Sequence, residues 1–172
     1  MIRIAVTGPE SSGKTTLSKA LAEVCGGEWV PEYARFGLKP DEDVTPSTLT
    51  SLAQAQLALL TQAAAKQPKL LVADTEFVVF DIWHREVFGI EMPRWKELYA
   101  AFPFDYFLVC APDIPWEADP LRSNPHDRER LMQSYLAKLD ALECPYSILK
   151  GSHKLRMEVA QSVVKKIMGT KK

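Results

Sequence analysis

Three cysteines, Cys25, Cys110 and Cys144, are all that the 172 residues contain, and no two form a C-x-x-C pair. That scarcity argues against a disulfide framework or a zinc site and fits a reducing cytosol. Net charge is equally scarce: 21 Lys and Arg against 22 Asp and Glu leave −1 with His neutral. The strongly basic surface of a general nucleic-acid binder is missing. No apolar run approaches the roughly 20 residues needed to cross a bilayer. Met1 leads straight into a strand-like run, so no signal peptide is expected. Repeats, low-complexity tracts and linkers are absent as well. What remains is ordinary globular composition, 47% hydrophobic and 25% charged. The expectation is a single cytoplasmic domain over residues 1–172, with one sizeable core and neither nucleic acid nor membrane as partner.

Against that background one stretch stands out. Ile2 to Val6 is a short apolar run that reads as a buried strand and stops at Gly8. A helical pattern begins at Gly13 and continues through Leu17, Ala20, Leu21 and Val24. Between them Gly8, Gly13, Lys14 and Thr15 spell the phosphate-binding loop G-x-x-x-x-G-K-[ST]. Glycines allow the chain to curl so that consecutive backbone N–H groups point inward at a polyphosphate. The helix behind the loop adds unpaired N–H groups and the positive end of its dipole. Lys14 then reaches the β- and γ-phosphates, and the Thr15 hydroxyl can ligate Mg²⁺. The motif sits in the strand–turn–helix context it requires, and implies binding of a nucleoside triphosphate.

Taken in order, Glu28 to Val30 reads as a second strand, with Glu32, Tyr33 and Arg35 just past its C-terminal end, where open α/β sheets place ligand contacts. Residues 36–44 read as an exposed loop. Thr45 and Pro46 form a helix start, with cap and first position filled, and Leu49, Leu52, Ala53, Leu57, Leu60 and Ala64 mark its apolar face. A buried strand over 69–76 ends in acids, placing Asp74 where a Walker-B carboxylate holds Mg²⁺. A largely apolar helix covers 77–88, a short helix 93–101 and a core strand 104–110. A long charged loop follows. Asn124, Pro125 and Asp127 then resemble a helix start, with Leu131, Tyr135, Leu139 and Leu142 along one face. A last strand covers 145–149 and a final helix 154–168. Strands and helices alternate without hairpin spacings, which predicts a parallel sheet covered on both faces. With the phosphate loop after its first strand, the fold class is α/β: a P-loop NTPase three-layer sandwich with five parallel strands and a small lid.

Arg122, Arg128 and Arg130 cluster where small P-loop kinases carry that lid. Guanidinium groups there neutralise charge spread over the transferring phosphoryl oxygens and fork onto two of them at once. Arg128 shares the inward face with Leu131 whereas Arg130 turns away, so Arg122 and Arg128 are favoured; a solvated charged face is the plainer alternative. A carboxylate that receives the proton of a substrate hydroxyl could be Glu32 or Asp74. Glu10, inside the loop, is a weaker candidate, and Glu32 could equally be a surface acid paired with Arg35. Tyr33, Trp83 and Trp116 could stack on a base, Trp116 ahead of Trp83 because a proline-rich loop has little core to fill.

These pieces together resemble the ribosylnicotinamide kinase domain of the bacterial bifunctional NAD-biosynthesis regulators. The resemblance is carried by the phosphate loop, by Glu32-Tyr33-Ala34-Arg35 (E-Y-A-R), by Asp74-Thr75-Glu76 (D-T-[DE]) and by the stretch from Trp116 to Ser123 (W-x-x-D-x-L-R-S). It spans most of the chain, and the tryptophan-to-arginine stretch is its most specific part. It implies phosphoryl transfer from ATP to nicotinamide riboside, giving ADP and nicotinamide mononucleotide. Gly8, Glu10, Ser11, Ser12, Gly13, Lys14, Thr15 and Thr16 would hold the ATP phosphates, with Thr15 and Asp74 at Mg²⁺. Glu32 would bind the ribose or activate its 5′-hydroxyl, Trp116 and Asp119 would form the nucleoside side, and Arg122 and Arg128 would clamp phosphate. The adenylyltransferase and DNA-binding parts of those regulators are not in this sequence, so repressor activity is not expected of it. Two other readings stay open: a kinase for another nucleoside or small metabolite, and an ATP-binding switch of the AAA-type ATPase kind.

Overall fold

Successive residues of the first strand part to opposite faces of a sheet, and that alternation builds the layers. In the computed structural model, which describes residues 1–39, 42–118 and 126–170, β1 (Ile2–Thr7) sends Ile4 and Val6 into one apolar cluster and Ala5 into another. β2 (Glu28–Val30), β3 (Leu70–Asp74), β4 (Tyr106–Cys110) and β5 (Tyr146–Leu149) complete a five-stranded parallel sheet in the order β2-β3-β1-β4-β5. The central strands β1, β3 and β4 are almost wholly buried, as expected of a parallel sheet covered on both sides.

One face is covered by α1 (Lys14–Cys25) and α7 (His153–Thr170), through Leu17, Leu21, Met157, Ala160 and Val164. The other carries α3 (Pro46–Ala65), α4 (Phe77–Phe88) and α6 (Arg128–Ala141), through Leu60, Phe77, Val78, Leu131 and Leu139. Two short helices, α2 (Ala34–Gly37) and α5 (Trp95–Ala101), lie in a third cluster with Leu49, Phe80 and Met92. Three layers result, the fold of the P-loop kinases. No helix among the described residues is long and apolar enough to cross a membrane.

α3 begins as its sequence requires: Thr45 accepts from the Thr48 N–H while Thr48 returns the bond to the Thr45 N–H, with Pro46 at the first position. Other boundaries differ from expectation. Part of the loop expected over 36–44 is helical, because α2 runs from Ala34 to Gly37 and buries Ala34 and Leu38 against α3 and α4. The helix expected to start from Asn124 and Pro125 starts at Arg128 instead. Its N-cap is Asp127, whose side chain makes no capping bond; Asn124 and Pro125 lie outside the described residues. The buried face of α3 is also turned: Gln56 and Ala63 are buried where Leu57 and Ala64 are only half-buried. A paired amide, described below, lets Gln56 take that place.

The register brings the chemistry together. Val6 pairs with Asp74, and the Thr75 N–H continues the ladder to the Val6 carbonyl at 3.2 Å. Parallel neighbours end at the same edge, so the loop after β1 and the acids after β3 are adjacent without any further folding device. With β3 on one side and β4 on the other, β1 stands where such sheets open a crevice for ligands.

Candidate active site

The phosphate loop is bent by left-handed residues: Gly8 at φ +127°, Ser11 at +52° and Gly13 at +80°. Gly8 admits no side chain, since a Cβ there would lie 2.6 Å from the Cys110 carbonyl oxygen. Gly13 caps α1 without a side-chain bond. The loop is also tied internally and to its surroundings. Ser12 Oγ donates to the Pro9 carbonyl at 2.7 Å, and the Glu117 N–H donates to Ser11 Oγ at 2.8 Å. Lys14 Nζ donates to the carbonyls of Gly8 and Pro9, at 2.9 and 2.8 Å. Thr15 and Thr16 face outward from the first turn of α1.

Behind them Asp74 is 1% exposed, and neither of its carboxylate oxygens takes a hydrogen bond from a described residue. Burial pushes its pKa up from an ordinary 3.8 to about 6. Thr15, beside it but outside hydrogen-bonding geometry, pulls the other way; Glu32 adds to the rise and Lys14 opposes it. A buried carboxylate with both oxygens unpartnered, next to a threonine hydroxyl, fits a divalent cation. Among the described residues no group of three or more His, Cys, Asp or Glu could hold a metal alone. Mg²⁺ would need only one or two protein ligands, completing its shell with water and phosphate.

Glu76 follows two residues later and is engaged differently. Thr7 Oγ1 donates to its Oε1 at 2.9 Å, and the Val78 N–H donates to its Oε2 at 2.6 Å, so it caps α4. Full burial pushes its pKa up to about 7 despite those bonds. Between the two acids, Thr75 sits at φ +87° with a buried hydroxyl that finds no partner among the described residues. A β-branched residue in that region is strained, as happens at functional turns.

Alongside the loop a cleft opens. Glu10 and Lys14 form one wall, Glu32, Ala34 and Arg35 a second, and Val79, Ile82, Trp83 and Glu86 of α4 a third. Leu131 and Tyr135 of α6 close it. Its lining, apolar side chains with a few convergent charged groups, is that of small-molecule sites. Glu32 faces this cleft and pairs with Arg35 at 3.1 Å, so the surface ion pair and the site residue are the same group. Tyr33 goes elsewhere. Its N–H donates to Gln56 Oε1 at 2.7 Å and its ring meets Phe36 edge-on at 4.8 Å, away from the cleft walls.

The tryptophans also part company. Trp83 lines the cleft, whereas Trp116 sits beside the loop with the Arg128 guanidinium 5.7 Å from its ring centroid. Arg128 Nη1 donates to the carbonyls of Ser11 and Ile114, at 3.1 and 3.0 Å. Arg130 turns outward to pair with Glu86. Asp119 and Arg122 lie outside the described residues. Sequence reasoning passed over Gln56, Tyr135, Glu76 and Arg156 as site residues. Only Glu76 had a local signal, as a capping acid before an apolar helix.

A family profile described as an AAA domain matches residues 3–156. The chain is 30% identical over 125 residues to the trifunctional NAD biosynthesis/regulator protein NadR of Escherichia coli (strain K12). That match covers 70% of this chain and 30% of the relative. The corresponding Salmonella typhimurium protein matches equally, 30% identical over the same shares of the two chains. The chain thus spans under a third of those relatives. Among solved structures it resembles NadR protein in complex with NAD and AMP-PNP, at TM-score 0.77 and 23% identity over 98% of this chain and 49% of that one. NadR protein in complex with NR matches at TM-score 0.78 and 21% identity, over 98% and 51%. Deoxyadenosine kinase from M. mycoides matches at TM-score 0.67 and 14% identity, over 96% of this chain and all of that one. The loop, its acids and the profile match across them agree, and the chain belongs to the AAA-domain family of nucleotide-binding P-loop proteins.

Proposed function

We propose that this protein is an ATP-dependent kinase that phosphorylates the 5′-hydroxyl of nicotinamide riboside, giving ADP and nicotinamide mononucleotide in NAD salvage. The observation that carries the reading is the cleft itself, which joins Lys14 of the phosphate loop to Glu32 and Trp83. A nucleoside held there lies beside a γ-phosphate on the loop. Similarity to NadR, one structure of which contains NR, supports that acceptor.

The 5′-oxygen attacks the γ-phosphorus, the bond from that phosphorus to the β,γ-bridging oxygen breaks, and ADP leaves with the bridging oxygen. Glu32 takes the hydroxyl proton. It is better placed than Asp74, because it lines the cleft and Asp74 does not. Lys14 exchanges the Gly8 and Pro9 carbonyls for phosphate oxygens. Residues 8–16, including Glu10, Ser11, Ser12 and Thr16, form the cradle. Thr15 and Asp74 would hold Mg²⁺, which when bound neutralises phosphate charge. Arg35 orients Glu32, and Trp83 offers a flat face to the base. Arg122 and Arg128 serve the phosphoryl group; Arg128 reaches it by giving up the Ser11 and Ile114 carbonyls. Trp116 borders the loop side, Asp119 would contact the nucleoside, and Tyr33 contributes through its backbone.

The test is ADP release by purified protein with Mg²⁺-ATP and a nucleoside panel. Stimulation by nicotinamide riboside alone, reduced about 100-fold or more in Lys14→Ala, is the expected result. Stimulation by a deoxynucleoside instead would favour a second acceptor, to which the full-length match with a deoxyadenosine kinase points. ADP release indifferent to every nucleoside would overturn the kinase reading in favour of an ATPase.

A further inference from the structure

Arg156, in the first turn of α7, is 3% exposed and carries no role in the chemistry above. Its guanidinium is nonetheless committed almost entirely to loops at the site. Nη1 donates to the Ser12 carbonyl at 2.6 Å, Nη2 to the Ala111 carbonyl at 2.9 Å, and Nε to the Gly151 carbonyl at 3.0 Å. Nη2 also pairs with Asp113, whose other oxygen accepts the Gly151 N–H at 2.7 Å. One side chain therefore joins the loop after β1, the loop after β4 and the turn after β5.

The bond to Ser12 has a directional consequence. In a trans peptide the carbonyl of one residue and the N–H of the next point to opposite sides, and no described peptide is cis. Drawing the Ser12 carbonyl toward Arg156 therefore turns the Gly13 N–H away from α7. At φ +80° Gly13 has no side chain to resist either orientation of that peptide, so an external anchor has to choose between them. Arg156 also lies close to Gly13: a Cβ built there would be 3.8 Å from its Nη1. Asp113 in turn holds the guanidinium in register. A lysine would keep the charge but not the planar fork that reaches three carbonyls.

We infer that Arg156, aligned by Asp113, is a positioning residue that sets the Gly13 peptide for triphosphate binding. This inference rests on the phosphate-loop reading, deepens it, and is independent of which acceptor the kinase uses. Full-length protein is titrated calorimetrically with inorganic tripolyphosphate and with Mg²⁺-ATP, as wild type, Arg156→Lys and Asp113→Asn. Both ligands should bind Arg156→Lys about tenfold or more weakly, and Asp113→Asn should lose a smaller factor in the same direction. In turnover the KM for ATP should rise by a like factor while the acceptor KM stays within twofold, a split that general loosening of the fold would not produce. Equal tripolyphosphate affinity in wild type and a folded Arg156→Lys overturns the inference and leaves the kinase reading standing. If Arg156→Lys does not fold, unchanged affinity in Asp113→Asn overturns it. Wild-type protein that binds neither ligand overturns both readings.

Discussion

Gln56 holds Glu32 in place without touching it. The buried amide of Gln56 accepts the Tyr33 N–H at 2.7 Å and donates to the Pro31 carbonyl at 3.1 Å, the two peptide groups on either side of Glu32. Replacing it by leucine leaves both groups unpaired beside α3, at about 1–3 kcal/mol for each buried group. Gln56→Leu should lower the unfolding midpoint and reduce kcat, with the KM for ATP unchanged. A full-rate Gln56→Leu variant would show that Glu32 needs no such support.

With Asp74 as a ligand, cation binding would be pH-dependent. Its folded pKa of about 6 lies above the ordinary 3.8, so between those values the folded chain binds more protons than the unfolded one. Its ionisation therefore lowers stability as pH rises through about 6. A cation needs the ionised form. Thermal stabilisation by millimolar Mg²⁺ should be larger at pH 8 than at pH 5, and the part owed to Asp74 should vanish in Asp74→Asn. A pH profile of Mg²⁺ stabilisation identical in wild type and variant would count against Asp74 as a ligand.

Glu76 shows the same sign, because its pKa is raised from 4.5 to about 7. Wild-type stability falls as pH rises through that window, and a glutamine does not titrate. Its carbonyl can accept the Val78 N–H, and its amide can donate to the Thr7 hydroxyl. Glu76→Gln should therefore gain on wild type as pH rises from 5 to 8, by up to about 3 kcal/mol, read by denaturant titration at both pH values.

The two tryptophans should separate kinetically. Trp83 lines the cleft proposed for the acceptor, whereas Trp116 lies near Arg128 beside the phosphate loop. Trp83→Ala should raise the nucleoside KM about tenfold, and Trp116→Ala should act chiefly on the KM for ATP. The reverse pattern would move the base to the Trp116 side.

Asp81 ties α6 to α4. Fully buried, it pairs with Lys138 at 2.6 Å and Arg85 at 3.2 Å and accepts the Met92 N–H at 2.9 Å. Lys138 lies 4.1 Å from the Trp95 ring centroid. Asp81→Ala leaves the mostly buried Lys138 without its closest carboxylate, a change that costs about 3–5 kcal/mol in buried pairs. A much smaller loss in chemical denaturation would show that Glu91, 3.0 Å from Lys138, suffices.

Much of this was legible along the chain because its causes are local. The spacing of Gly8, Gly13, Lys14 and Thr15 dictates a phosphate loop. Alternating strand and helix patterns dictate a covered parallel sheet, and Thr45-Pro46 starts α3 through bonds no more than three residues long. Glu32 and Asp74 fall near the phosphate loop because strand ends in such a sheet share one edge. The rest depended on contacts between distant residues. Gln56 meets Tyr33 across 23 positions, Arg128 meets Ser11 across 117, and Arg156 meets Ser12 across 144. Periodicity and capping act over about four residues, so no local signal distinguishes an arginine that braces a loop from one in solvent. The same limit hid where Trp83, Trp116 and Tyr33 sit, since which face a ring meets is decided by the packing of α2, α4 and α6. Sequence determined which chemistry the sheet edge carries; tertiary packing decided which side chains surround it, because only folding brings those distant groups within bonding range.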